Sequence, residues 1–426
     1  MRLKAISLAL LLLAATLPSA ADARGSVDTS HGIVDPAFRS LQLRVNGNQL
    51  SVPVVALNSG DRIEIVFDEL ADDRRYMRYE LVHCDAHWQP ESLVDSEFLE
   101  GFNVADVEDY DFSRATLMHY VNYRIILPND NMRITASGNY VVRVYPEDDP
   151  DTTILRARFS VSEAVMGVSG SVTTRTDIDT NSRHQQVELT VDTRESGVEN
   201  LYDDLTVSVM QNGRPDTEVI VRHPLRVQGK KAVYEHLRPL IFPAGNEWRR
   251  FETVSTRYPG MGVEAIEYHD PLYHFILTPD TPRAADRYRY DETQHGRFYI
   301  REYDSADSDT EADYAVVHMS LRMPRLWDTE VYVDGDMTGH LINPASHMIY
   351  NDASGAYELS LLLKQGAYNY QYVTVPASGQ RDIASPARIE GDFHETSNEY
   401  LVKVYHRPRG TRYDRLVAAT VIMSTP

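Results

Sequence analysis

Apolar and polar side chains alternate in short runs along most of the chain, and turn residues separate the runs. The pattern is clearest between residues 76 and 145, for example in the runs 76–88 and 123–129. Such alternation is typical of β-strands that have one buried face and one solvated face. Residues 92–103 are the best candidate for a helix, and it would be short. The pattern therefore predicts an all-β protein.

The predicted strands fall into three successive groups. The first group ends with a strand at 156–161, and a polar passage at 283–292 precedes the third. Strands separated by turns at this spacing are typical of β-sandwiches. The second and third groups comprise the runs 168–173, 186–192, 205–211, 232–237, 298–303, 315–321, 330–333, 357–363, 368–375, 399–405 and 416–423. We predict tandem immunoglobulin-like β-sandwiches over residues 24–162, 163–284 and 285–426.

The N-terminal residues 1–23 have the pattern of a secretory signal peptide. Arg2 and Lys4 precede an apolar core at residues 6–17, and Ala21 and Ala23 supply small residues at the cleavage position. A core this short suits a cleaved signal better than a membrane span, which needs about 20 residues. The sequence therefore predicts an exported mature chain.

The chain is acidic, with a formal charge of −21 over 426 residues. Cleavage after Ala23 would change this to −22, because two positive charges and one negative charge are lost. Such a charge argues against nucleic acid as a partner, since a phosphate backbone selects basic surfaces. It also argues against electrostatic docking onto anionic lipid.

Cys84 is the single cysteine of the chain. An intramolecular disulfide is therefore impossible, and an exported protein without disulfides depends on its hydrophobic core. Cys84 also lies far beyond the signal, so lipid attachment to a cysteine after the signal is not expected. Any association with a membrane should then pass through a protein partner.

His83, Cys84, Asp85 and His87 form a cluster of metal-ligating residue types beside Trp88. On a strand, the two histidines and Asp85 would share one face while Cys84 points to the other. Two histidines and a carboxylate are a conceivable zinc set. Open sheet faces often carry such residues without a ligand, so a polar cluster beside a buried thiol is the favoured interpretation, and we expect no metal or other cofactor.

Asp177, Asp179, Asn181 and Glu188 have the spacing of four ligands in a calcium loop. Ser182 stands where the sharp turn of that loop needs glycine, and strands flank it instead of helices. A polar hairpin tip is therefore the favoured interpretation.

Hydrolase chemistry has little support in the sequence. The motif Gly-x-Ser-x-Gly does not occur, and the histidines do not accompany a convincing set of serine and aspartate residues. A serine nucleophile elbow would also need a strand, a turn and a helix in succession. We therefore predict that the chain is not an enzyme and has no catalytic residues.

The third group resembles the early-set immunoglobulin-like sandwich of glycogen-binding modules, on the evidence of residues 330–336, 348–352 and 355–373. Those modules place a sugar-stacking tryptophan soon after the Gly-Asp turn, but here the nearest tryptophan is Trp327, ahead of the strand. Without that ring, sugar binding is not favoured. Tyr368, Tyr370 and Tyr372 share one strand face; they are either core or a partner surface, and core is favoured.

Several short motifs are spread in order over nearly all of the mature chain. Their residues, which we expect to be structural, are His83, Cys84, Asp85, Trp88, Gly138, Asn139, Tyr140, Gly245, Asn246, Glu247, Lys364, Gln365, Gly366, Tyr368, Tyr370, Glu395, Asn398 and Tyr400. These motifs resemble those of the periplasmic plug protein of the type IX secretion system, the outer-membrane export machine of Bacteroidota-type bacteria. Trp248 stands where phenylalanine is expected, and Ala418 and Ala419 stand where a glycine is expected; neither departure touches a proposed site.

The resemblance implies a non-enzymatic periplasmic protein that closes the periplasmic opening of a large outer-membrane β-barrel translocon when no substrate is in transit. It would act as a monomer within a hetero-complex and would reach the outer membrane through that partner. The alternative from another class is a periplasmic β-sandwich protein that binds carbohydrate or a secreted client.

Overall fold

The computed structural model describes residues 28–193, 196–378 and 384–424, so the predicted signal peptide lies outside the described residues. The described part consists almost entirely of strands and connections. Its two α-helices, α1 (Asp95–Phe98) and α2 (Ser308–Glu311), are single turns, and three 3₁₀ turns span Pro215–Thr217, Arg238–Leu240 and Asp336–Thr338. The predicted all-β class is confirmed, and the short helix expected within 92–103 is α1.

Thirty strands follow one another along the described chain. They are β1 (Gly32–Ile33), β2 (Phe38–Val45), β3 (Val54–Ala56), β4 (Ile63–Glu69), β5 (Met77–Cys84), β6 (Leu99–Gly101), β7 (Ala105–Asp106), β8 (Asp109–Phe112), β9 (Val121–Leu127), β10 (Met132–Ile134), β11 (Gly138–Pro146), β12 (Leu155–Ser162), β13 (Gly167–Thr173), β14 (His184–Asp192), β15 (Leu205–Gln211), β16 (Val219–Val221), β17 (Arg226–Gln228), β18 (Lys231–Tyr234), β19 (Ile241–Pro243), β20 (Arg249–Glu252), β21 (Val263–His269), β22 (Leu272–Leu277), β23 (Phe298–Ile300), β24 (Tyr314–Arg322), β25 (Thr329–Asp334), β26 (Ile349–Asn351), β27 (Ala356–Lys364), β28 (Gly366–Pro376), β29 (Glu399–His406) and β30 (Arg415–Met423).

The first sandwich packs two main sheets face to face. One sheet has the order β1-β12-β11-β5-β7, with β3 beside β12, and the other has the order β2-β4-β9-β8. Alternate residues of β5, such as Met77, Tyr79 and Leu81, are buried between the sheets. Their partners on β4 and β9 include Ile65 and Ile125, so the core follows the period of two in the sequence.

The second and third sandwiches are built in the same way. In the second, the sheet β13-β14-β18-β17, with β19 beside β14, faces the sheet β16-β15-β29-β30. In the third, the sheet β20-β28-β23, with β25 beside β28, faces the sheet β21-β22-β24-β27-β26. Each sandwich has its own hydrophobic core.

The strands group differently from the expected division at residue 285. β29 and β30 were expected in the third sandwich, but β29 pairs with β15 and β30 pairs with β29. The two strands complete the second core, where Val402 and Val404 are buried. β20, β21 and β22, expected in the second sandwich, lie in the third. The physical reason is that strands β13–β19 supply only part of the second sheet, and its remaining apolar face needs the C-terminal hairpin as cover. We propose the division 28–162, 166–243 with 398–424, and 249–391.

Candidate functional site

The motif residues His83 and Cys84 lie on β5, and the motif residues 138–140 lie on β11, its antiparallel neighbour. Cys84 is opposite Asn139, and His83 is opposite Tyr140. The His83 ring is buried and meets the Tyr140 ring edge to face, with 4.9 Å between centroids. A β-carbon on Gly138 would lie 2.5 Å from His83 Nε2, and its φ of 144° also favours glycine. These residues therefore form one packed unit.

The other polar groups of this cluster order the chain instead of converging on a ligand. One oxygen of Asp85 accepts the N–H of His87 at 2.8 Å, and its carbonyl accepts the Asn139 amide at 2.8 Å. Asn139 in turn accepts the Tyr405 hydroxyl of the second sandwich at 2.9 Å. Burial raises the pKa of the Cys84 thiol to about 12, which disfavours the reactive thiolate. Within the described ranges, no group of three or more His, Cys, Asp or Glu residues is placed to hold a metal ion.

Trp88 joins the first sandwich to the second. Its indole N–H donates to Glu218 at 3.1 Å, and Lys403 Nζ lies 3.1 Å from the other oxygen of that carboxylate. The Arg158 and Lys403 cations lie 4.5 and 4.7 Å from the indole centroid. Burial would raise the pKa of Glu218, but the charge of Lys403 holds it below its ordinary value. The joint is thus an ionised, buried cluster around one aromatic ring.

Lys364 joins the third sandwich to the first. Its Nζ donates to Asp68 at 2.7 Å and to the Asp309 carbonyl at 2.6 Å, and the two side chains of the ion pair are 2% and 1% exposed. The Tyr120 ring centroid lies 4.1 Å from Nζ, and the Tyr314 hydroxyl donates to Asp68 at 2.6 Å. Burial lowers the pKa of Lys364, and the attraction of Asp68 opposes this. Among the ion pairs between sandwiches in the described residues, this pair is the most deeply buried.

The residues that follow Lys364 are fixed by close packing. Gln365 hydrogen-bonds to backbone groups of two neighbouring segments. A β-carbon on Gly366 would lie 2.4 Å from the Tyr299 carbonyl oxygen, so the position has no room for a side chain. Tyr368 and Tyr370 are buried in the third core. This motif therefore positions β28 against β23.

The remaining motifs lie in the two connections between the second and third sandwiches, and these connections hydrogen-bond to each other. Glu247 accepts the Tyr288 hydroxyl at 2.7 Å and the Ser397 N–H at 2.8 Å. Asn398 donates to the Ala244 carbonyl at 2.8 Å. Burial raises the pKa of Glu247. The two connections thus form one hydrogen-bonded polar block, which is largely shielded from water.

Neighbouring motif residues complete the same block. Gly245 has a φ of 63°, in the left-handed region, which allows the tight turn. Asn246 donates to the Glu390 carbonyl at 2.8 Å, and Tyr400 donates to Gln185 at 2.9 Å. Glu395 differs, because its side chain is 40% exposed. The structural role expected for the motif residues therefore stays a prediction. The geometry shows which contacts each of them would serve through.

Residues of all three sandwiches line a partly open cavity of about 150 Å³. Its wall includes Trp88, Lys403 and Arg297, one from each sandwich. Arg297 pairs with Glu399 of the second sandwich, and each of these two side chains is 11% exposed. This ion pair thus links the third sandwich to the second at the cavity wall.

His340 and the two carboxylates beside it predict that the stability of the fold depends on pH. His340 lies 2.8 Å from Asp334 and 2.7 Å from Asp336. Burial alone would lower the pKa of His340, but these carboxylates raise it to about 10. A raised histidine pKa stabilises the fold fully below pH 6.5, and this contribution is lost as the pH rises towards about 10. Burial lowers the pKa of His31 to about 4. The contribution of His31 to stability is therefore lost at lower pH, as the pH falls from 6.5 towards about 4.

We therefore expect the unfolding temperature of the wild type to exceed that of His340→Gln by most near pH 6 and by least near pH 10, in the window set by the raised pKa. Thermal unfolding across this range measures the gap. His269→Gln is the matched control, because His269 is exposed on β21 and should change little. A gap for His340→Gln that stays constant over the whole range would contradict the expectation.

The candidate calcium loop has its carboxylates engaged elsewhere. Asp177 accepts the Gln186 amide at 2.9 Å and lies 2.8 Å from His236. Asp179 lies 2.7 Å from His184 and accepts the backbone N–H of Arg183 at 3.2 Å. These contacts are those of a polar hairpin tip.

The aromatic residues of the third sandwich do not form a sugar platform of the kind in glycogen-binding modules. Tyr368, Tyr370 and Tyr372 are at most 4% exposed. Trp327 is 79% exposed, but the Arg325 guanidinium lies 4.4 Å from its ring centroid and covers one face. The carbohydrate alternative therefore gains no specific support.

The partners at each joint were not predicted from the sequence. Glu218, Asp68 and Asp309 carried no signal of their own. Lys403 did, because it stands in the apolar run 401–405 at a position that the alternation assigns to an interior face. A lysine there requires a buried counter-charge.

Residues 38–163 match the family model described as the type 9 secretion system plug protein 1st domain. No curated protein matches the chain. In the described part of the chain, no helix has the length and apolar character needed to cross a membrane.

The similar solved structures include one that covers nearly the whole chain. It is the crystal structure of a hypothetical protein from Parabacteroides merdae ATCC 43184, with 40% identity, 93% of this chain and 100% of that chain covered, and a TM-score of 0.91. A Pseudomonas fluorescens alkylpurine DNA glycosylase bound to DNA, with 9% identity over 29% of each chain, has a TM-score of only 0.16 and carries no argument. The chain belongs to the family of type IX secretion system plug proteins, and it is a component of that secretion system.

Proposed function

We propose that this chain closes the periplasmic opening of the outer-membrane translocon of the type IX system when no substrate is in transit. The observation that carries the proposal is the set of buried joints at Trp88, Lys364 and Glu247, which fix three sandwiches against one another. A stopper must keep its shape against an opening, and these joints supply a physical basis for rigidity.

The rigidity follows from the chemistry of the joints. At Trp88 and Lys364, a polar or charged group on one sandwich meets a specific partner on another. Glu247 ties together the two connections between the second and third sandwiches. Sliding of one sandwich over the next would leave buried polar groups unsatisfied, which costs about 1–3 kcal/mol for each neutral group and more for a charge. One relative arrangement of the sandwiches is therefore strongly favoured, as a stopper requires.

We also propose the partner of this chain and its location. The partner is a large outer-membrane β-barrel, and the chain acts as a monomer within a hetero-complex on the periplasmic face of that membrane. A formal charge of −21 disfavours direct adhesion to anionic lipid, so a protein contact supports this location better. The action is mechanical, and no group is proposed to make or break a bond.

Deletion of the gene is expected to leave the translocon open and to make the outer membrane more permeable to large antibiotics. Growth inhibition by such an antibiotic, compared between wild type, deletion strain and complemented strain, measures the effect. The complemented strain should regain the wild-type resistance. Unchanged resistance in a deletion strain that still contains normal amounts of the translocon would overturn the proposal.

A further inference from the structure

One side of the first sandwich ends in two unpaired strand edges. β7 is the last strand of one main sheet and β8 is the last strand of the other, and only residues 107 and 108 separate them. β8 pairs with β9 along one edge, and no described strand pairs with its other edge. A free strand edge presents backbone donors and acceptors that another strand can use.

Exposed aromatic rings line this side. Tyr76 and Phe112 are 62% and 45% exposed. The Arg74 guanidinium lies 4.4 Å from the Tyr76 ring centroid and 4.8 Å from that of Tyr110, and the Tyr110 and Phe112 rings meet edge to face at 5.8 Å. These four residues are the edge patch. Aromatic residues and arginine are the types that dominate the binding energy of protein interfaces.

The charges beside the edge patch indicate what kind of strand fits. Glu108 and Asp109 are exposed, and neither has an ion-pair partner within 4.0 Å in the described ranges. A second copy of this chain would bring the same carboxylates to the edge, and like charges facing each other across strands are destabilising. A strand with lysine or arginine among apolar residues would complement both the carboxylates and the rings.

We infer that the edge patch and the free edge of β8 form the surface that docks on the translocon. The occupant is a strand or strand end of the barrel protein that exposes basic and apolar side chains to the periplasm. This inference rests on the proposed function, because the proposed partner is the one assumed there. It adds the surface on this chain and the chemistry of the segment that meets it.

The third sandwich offers a matched control surface. Trp327 and Ile349 are 79% and 62% exposed, so they are comparable in size and exposure to the rings of the edge patch. They lie on another sandwich, and the Trp327 ring is covered on one face by Arg325. Substitutions there test whether loss of any large exposed apolar pair weakens docking.

The experiment captures the barrel protein from detergent-solubilised outer membrane with tagged full-length chain. Tyr76→Arg with Phe112→Arg should reduce the barrel recovered by about tenfold or more, since two interface anchors are lost and charge repels the basic partner. Trp327→Arg with Ile349→Arg should recover nearly the wild-type amount. If thermal unfolding shows that the double edge variant is misfolded, Tyr76→Arg alone replaces it, because that ring is mostly exposed.

The outcomes separate the two proposals. Wild-type capture with equal capture by the edge variant would overturn the inference while the proposed function stands. Loss of capture with the control variant alone would also overturn it. Failure of the wild-type chain to capture any barrel protein would overturn the proposed function, and the inference with it.

Discussion

Replacement of Lys364 by methionine is expected to lower the free energy of unfolding by about 3–5 kcal/mol. The variant keeps the length of the side chain but removes its charge, so Asp68 stays buried without a counter-ion. Asp68 is 1% exposed and lies 2.7 Å from Lys364 Nζ, so water cannot replace the lost charge. The loss should be larger than for any exposed pair, because screening by water makes those weak.

Denaturant unfolding measures this loss, with two controls. Lys364→Met combined with Asp68→Asn should recover part of the stability, because no uncompensated charge remains and the amide oxygen can still accept from Tyr314. Arg78→Met should cost about 1 kcal/mol or less, because the pair of Arg78 with Asp106 is exposed. Equal losses for Lys364→Met and Arg78→Met would show that the joint is not a buried ion pair.

Gly138→Ala is expected to destabilise the chain by about 2–6 kcal/mol, which is the sum of two costs. The φ of 144° disfavours a side chain, at about 1–3 kcal/mol. The added methyl group would also lie 2.5 Å from His83 Nε2, and overpacking of this kind costs about 1–3 kcal/mol. The His83 ring cannot easily move away, because it packs against Tyr140 on the neighbouring strand.

Gly167→Ala is the matched control for this prediction. Gly167 is exposed on β13, its nearest contact for an added β-carbon is 3.6 Å away, and its φ is not in the left-handed region. Its substitution should be neutral or should stabilise by about 0.4–1 kcal/mol. Similar free energies of unfolding for Gly138→Ala and Gly167→Ala would refute the packing described around His83.

Strand positions could be predicted from alternation, but their pairing could not. The run 205–211 is observed as β15 with the expected bounds. Its partner β29 lies nearly two hundred residues away, and alternation says only that one face of each strand is buried, not against which strand. This is why the C-terminal hairpin was assigned to the third sandwich instead of the second. β21 was missed because most of its residues are exposed or only partly buried.

The candidate site shows the same limit. The motif residues could be selected from the resemblance to the plug family, but those at the joints act through partners distant in sequence. Trp88 meets Glu218 and Lys403, and Lys364 meets Asp68. Only the lysines gave a usable signal, because each stands beside or within an apolar strand. The identity of the buried counter-charge depends on tertiary packing, which local pattern does not contain.

The most direct test of the central claim is the ionic conductance of the purified translocon in a planar bilayer, with and without this chain on the periplasmic side. The account predicts that added chain lowers the conductance to a saturable minimum, and that the edge-patch variant requires a higher concentration to do so. Conductance that stays unchanged while the wild-type chain is bound to the translocon would contradict the claim that it closes the opening.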